Sequence, residues 1–124
     1  MSDLAEKFDR AQNHFGDLVR QVGDDKWTAP TPCSDWDVRA LVNHLVYEAR
    51  WAVPLLEGQT IEEVGDRFDG DILGEDPKAT FDIALAEATA AVRAPGALDR
   101  TVHLSYGDAP ASDYLTQLTG DFVI

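Results

Sequence analysis

The run from Thr31 to Trp51, TPCSDWDVRALVNHLVYEARW, constrains this chain more than any other stretch. At about 100° per residue, Val38, Leu41, Val42, Leu45, Ala49 and Val53 fall on one stripe, so the spacing predicts a helix from about Asp35 toward Val53. Ser34 is the expected N-cap, and Asp35 and Asp37 suit the positive end of the helix. Pro54 and Gly58 are expected to close it. A stripe this apolar must be covered by other elements, so the question becomes what else the chain offers.

Three further runs share the helical period. Ser2 can cap a first helix whose stripe is Leu4, Phe8, Ala11, Phe15, Leu18, Val19 and Val22, with Gly23 ending it. Pro30 and Pro32 then force extended backbone before the second helix. A loose acidic segment over 59–75, with Gly65, Gly70 and Gly74, leaves room for one short turn at Ile61–Val64. Asp76 as cap and Pro77 at the first helical position open a third long helix with Phe81, Leu85, Ala88 and Val92 on its stripe. Ala94-Pro95-Gly96 stops it. TVHLSY reads as a short strand or hairpin arm, with turn chemistry at Gly107-Asp108. Ser112 is the expected cap of a last helix carrying Leu115, Leu118 and Phe122 on one face, with no C-terminal stop signal. The expected fold is all-α: a four-helix bundle, with a small β excursion before the last helix, formed as one domain over residues 1–124.

Composition narrows the function classes. The net charge of −13, from 23 acidic and 10 basic residues, opposes nucleic-acid backbones and anionic membranes. A hydrophobic content of 44% suits one core, and no apolar run reaches the ~20 residues of a membrane span. The single cysteine, Cys33, excludes an internal disulfide, and a cytoplasmic location is the expectation.

Three residues could carry chemistry together. His44 lies about 60° from Leu41 on the helical wheel, and Glu48 falls between them, so both stand at the margin of the core face. At i and i+4 they can share a metal ion or a proton, or simply hydrogen-bond. Asp121 holds a similar edge position on the last helix, about 60° from Leu118. His14 beside Phe15 reads as a surface or boundary residue, and His103, alternating with Val102 and Leu104, as solvent-facing. Cys33 sits just before a helix N-terminus, where a thiolate is favoured, but a tight Pro-x-Cys turn also suits a small buried side chain.

From Trp27 to Leu45 the pattern W-x-x-P-T-P-C-S-x-W-x-V-R-x-L-V-N-H-L resembles the N-terminal signature of actinobacterial metal-binding proteins of the DinB-like superfamily, relatives of the mycothiol-dependent maleylpyruvate isomerase metal-binding domain. The resemblance extends over essentially the whole chain. It implies a helical bundle holding a divalent metal, usually zinc, with His44 as one ligand. It implies a second ligand at Asp121 and a histidine four residues later, one position past Ile124, so the chain resembles a domain cut before its third ligand. Glu48 departs from the small residues of the family there and is the candidate replacement ligand. The implied activity is that of a thiol-dependent transferase or isomerase-related enzyme acting on a small-molecule thiol such as mycothiol or its adducts. The alternative is a non-catalytic helical module that binds a metal or a partner. An exposed bundle edge would favour a homodimer.

Overall fold

The computed structural model describes residues 2–23, 25–31, 36–104 and 107–121, the side chains of residues 2, 3 and 121 excepted. Four long or medium helices dominate: α1 (Ser2–Arg20), α2 (Val38–Leu56), α4 (Pro77–Arg93) and α5 (Ala111–Asp121). The short α3 (Ile61–Val64) follows α2, and strands β1 (Thr101–Leu104) and β2 (Gly107–Pro110) precede α5. The expected all-α bundle with a β excursion is therefore the observed architecture. α2 packs chiefly on α4, while α1 packs on α4 and α5, and α2 also touches α5.

The core forms where the apolar stripes meet. Phe8, Leu45, Leu56, Phe81, Leu115 and Leu118 are fully buried, and the Phe15 and Phe81 rings lie 6.0 Å apart across α1 and α4. Each such side chain contributes about 1.5–3 kcal/mol by leaving water. Leu18, expected on the α1 stripe, is 46% exposed because it falls about 80° from Phe8 on the wheel. Gln12 falls inside the stripe instead. It is 2% exposed and donates to Thr89 Oγ1 at 3.1 Å, which puts a polar contact in the α1–α4 seam.

The ends of α2 differ from expectation. Its N-cap is Asp37, whose carboxylate accepts from Ala40 N at 2.8 Å. The start is set by tertiary bonds: Val38 N donates to Ala29 O at 3.0 Å and Arg39 N to Trp27 O at 2.8 Å. Those bonds tie the helix entrance to the preceding loop, and Ser34 and Asp35 lie outside the described residues. Pro54 does not end α2. It sits in the last turn, where its missing N–H removes one ladder bond, and Glu57 N still reaches Val53 O at 3.1 Å. In α4, Asp76 caps Ala79 N with Pro77 in the first turn, as expected. α5 begins at Ala111, so Ser112 lies in its first turn and is not the cap.

The segment after α3 is tied down by α2. Arg39 forms two parallel bonds to the Asp71 carboxylate, at 2.9 and 3.0 Å, and a third to Gly74 O at 3.0 Å. Asn43 donates to Gly70 O at 3.0 Å and accepts from Ile72 N at 2.8 Å. These bonds seat Leu73 in the core with no exposure, and Thr80 Oγ1 closes the arrangement on Leu73 O at 2.7 Å. Hydrogen bonding to Arg39 holds the Asp71 carboxyl below the usual carboxylate range and raises the Arg39 guanidinium further.

β1 and β2 pair antiparallel, with Thr101 opposite Pro110 and Leu104 opposite Gly107. Gly107 and Asp108, expected in the turn, instead open β2, and Gly107 takes a φ of +124° that favours glycine. Val102 alone of the β1 residues is fully buried and anchors the hairpin to the core.

Candidate metal centre

α2 presents the histidine and the carboxylate together because four residues complete slightly more than one turn. His44 Nε2 stands 3.6 Å from Glu48 Oε1, with the two side chains 34% and 26% exposed. They are half-buried at the edge of the core face, as the wheel predicts. Two donors of one tetrahedral zinc, each bound at about 2.0–2.2 Å, lie roughly 3.4 Å apart. The pair therefore has the spacing of two ligands in one shell without rearrangement of the helix. The same spacing also serves an ordinary i, i+4 ion pair.

Aromatic rings fix the imidazole. The Trp36 ring lies 4.8 Å from the His44 ring, tilted by 36°, and the Tyr47 ring lies 6.3 Å from it at an interplanar angle of 20°. The series continues along α2, with Tyr47 against Trp51 at 6.0 Å and Trp51 edge-on to Phe68 at 6.2 Å. Trp51 Nε1 is buried without a hydrogen-bond partner among the described residues. The sequence reading missed this wall. The signal was present, since Tyr47 and Trp51 follow His44 at three and seven residues, which is one helix face. Trp36 reaches that face from outside the helix and carries no periodic signal.

The other sequence candidates divide clearly. His14 is exposed on α1, remote from the pair in sequence and on a different helix. His103 pairs across the hairpin, with its Nδ1 at 2.8 Å from Asp108 Oδ1 and a side chain 39% exposed. Asp121 is the last residue of α5, a helix in contact with α2, but its side chain lies outside the described residues, and so does Cys33. The expected approach of His44 to Asp121 thus falls outside the description. Among the described residues, no three of His, Cys, Asp and Glu gather as a ligand set. No described helix is long and apolar enough to cross a membrane.

Comparison with known proteins gives this geometry a context. Two uncharacterized proteins of Mycobacterium tuberculosis, one from strain CDC 1551 / Oshkosh and one from strain ATCC 25618 / H37Rv, are each 31% identical over 116 residues. The match covers 90% of this chain and 57% of each relative, so the chain spans little more than half their length. No solved structure shows significant similarity. Residues 8–124 match the mycothiol maleylpyruvate isomerase N-terminal domain, a span that holds α2, its His44–Glu48 pair and α5, and the chain belongs to that family.

Proposed function

We propose that the domain binds a divalent metal, with zinc the preferred ion, through His44, Glu48 and Asp121, and presents it to a small thiol of the mycothiol type. The observation that carries this reading is the His44–Glu48 pair at 3.6 Å, held half-buried on α2 inside the family region. A nitrogen and a carboxylate oxygen are a donor set that suits zinc.

Each residue has a distinct part. His44 supplies an imidazole nitrogen, its ring oriented by the neighbouring Trp36 and Tyr47 rings. Glu48 supplies an anionic oxygen one turn later and offsets part of the ion's charge. Asp121, on a helix that contacts α2, is the third donor this reading needs. When bound, the ion supplies Lewis acidity that lowers the pKa of a coordinated thiol. The aromatic face beside His44 limits water on one side of that position and offers an apolar wall to the rest of the ligand. Thiol transfer or isomerisation through a thiol adduct is the reaction class this arrangement serves.

The test is calorimetric titration of zinc into the chelator-treated protein, repeated with mycothiol present. Saturable 1:1 binding that His44→Ala and Glu48→Gln each weaken at least tenfold supports the metal reading. Tighter zinc binding in the presence of mycothiol supports the thiol. Zinc binding indifferent to mycothiol would leave a metal-binding module without thiol chemistry, and absence of binding would overturn the proposal.

A further inference from the structure

A second site lies about 120° round α2 from His44, where Arg50 leaves the helix. There a cavity of about 590 Å3 opens between the C-terminal parts of α2 and α4. That volume is in the range of sites for small organic ligands. Part of its wall is apolar, from Val53, Pro54, Phe68 and Ala91. The rest is charged. Arg50, Arg67 and Arg100 reach it from three separate segments, against Glu57 and Glu87.

Three of the chain's 10 basic residues therefore meet at one cavity in a protein of net charge −13. In such a chain a guanidinium readily finds a carboxylate, and three of the four arginines outside the cavity do so: Arg20 holds Asp17 and Asp82, Arg39 holds Asp71, and Arg93 holds Asp9, whereas Arg10 has no carboxylate partner among the described residues. At the cavity only Arg50 is so engaged, with Glu87. Among the described residues neither Arg67 nor Arg100 pairs with a carboxylate. Arg67 lies over the Phe68 ring at 5.7 Å, and Arg100 donates one N–H to Leu56 O at 2.9 Å. That bond answers a free carbonyl at the end of α2 and offsets its negative dipole end, leaving the other N–H donors of the fork available.

We propose that this cavity binds a small organic monocarboxylate with an apolar body. Arg67 and Arg100 would take the carboxylate, Arg50 would reinforce them, and the Pro54–Phe68–Ala91 wall would take the apolar part. Three guanidiniums against two carboxylates leave an excess of one positive charge, which matches a monoanion. A phosphate dianion brings more charge than that excess and meets Glu57, Glu87 and the negative ends of two helices. The site is independent of the metal reading, since it uses none of His44, Glu48 and Asp121.

Nuclear magnetic resonance titration of the 15N-labelled protein at low salt tests this, with hexanoate as probe and 1-hexanol and inorganic phosphate as comparators. Hexanoate should shift the amides of 50–57, 67–68 and 90–94 saturably and bind about tenfold tighter than 1-hexanol. Inorganic phosphate should leave those amides in place. Arg67→Gln, at an exposed position outside the regular elements, should weaken hexanoate about tenfold while keeping the folded spectrum. Glu87→Gln releases Arg50 from its internal carboxylate and should tighten binding. Equal binding of hexanoate and 1-hexanol, no saturable shift at these amides, or weaker binding after Glu87→Gln in a folded variant would each overturn the proposal.

Discussion

Asn43 precedes the candidate ligand His44, and its role is to hold the neighbouring loop. Asn43→Ala removes both the donor to Gly70 O and the acceptor for Ile72 N. Each bond contributes about 1 kcal/mol net, so the total for the two is about 2 kcal/mol. At an unfolding entropy of about 2.1 cal/mol/K per residue, 124 residues give about 0.26 kcal/mol/K, and the melting temperature should fall by about 8 °C. Asn43→Asp keeps an acceptor for Ile72 N and loses only the donor, so it should fall by less than the alanine variant. Thermal melts followed by circular dichroism measure both, and hydrogen exchange at the Leu73 amide shows whether the loop itself has loosened. An alanine variant melting within about 1 °C of the parent, with Leu73 exchange unchanged, would refute the assignment of Asn43 as the loop's anchor.

Three further outcomes follow from named contacts. The Arg39 bonds hold the Asp71 carboxyl below its ordinary value, so their stabilisation is present above about pH 4 and is lost as pH falls through the lowered value. Asp71→Asn should thus lower the melting temperature at pH 7 and make less difference near pH 2, with an effect within about 1 kcal/mol because the carboxylate is 58% exposed. Gln12 Oε1 is buried without a hydrogen-bond partner among the described residues, so Gln12→Met, a swap of similar volume, should melt as high as the parent or higher. In zinc titrations His14→Ala and His103→Ala should leave affinity unchanged, since one imidazole is exposed on α1 and the other is engaged by Asp108.

Much of the bundle was legible because local and tertiary signals agree. Asp76-Pro77 both caps and starts α4, and Phe81, Leu85, Ala88 and Val92 are all buried on its stripe. Where the two compete, tertiary bonds prevail. Ser34 is a good cap by residue type, but α2 starts at Val38 with Asp37 as its N-cap, where Val38 and Arg39 bond back to Ala29 and Trp27. Pro54 reads as a stop, yet in a last turn it forfeits a single ladder bond while Leu55 and Leu56 gain full burial. The 59–75 segment reads as loose because glycine and acid content reveal nothing of Arg39 and Asn43 reaching across from α2. At the candidate site the i, i+4 spacing of His44 and Glu48 was legible because it is local. Trp36, Phe68 and the cavity arginines were not, since they are joined only by the fold.

The central claim, that His44 is a metal ligand, is tested most directly at the imidazole nitrogens themselves. Long-range 1H–15N spectra of the three histidine rings, recorded while zinc is added to the chelator-treated protein, report coordination ring by ring. The expected result is a saturable change of the His44 Nε2 resonance at one equivalent of zinc, with the His14 and His103 rings unmoved and the change abolished in Glu48→Gln or Asp121→Asn. Zinc binding that leaves the His44 ring unmoved, or a His44 ring that does not respond at several equivalents, would contradict the account.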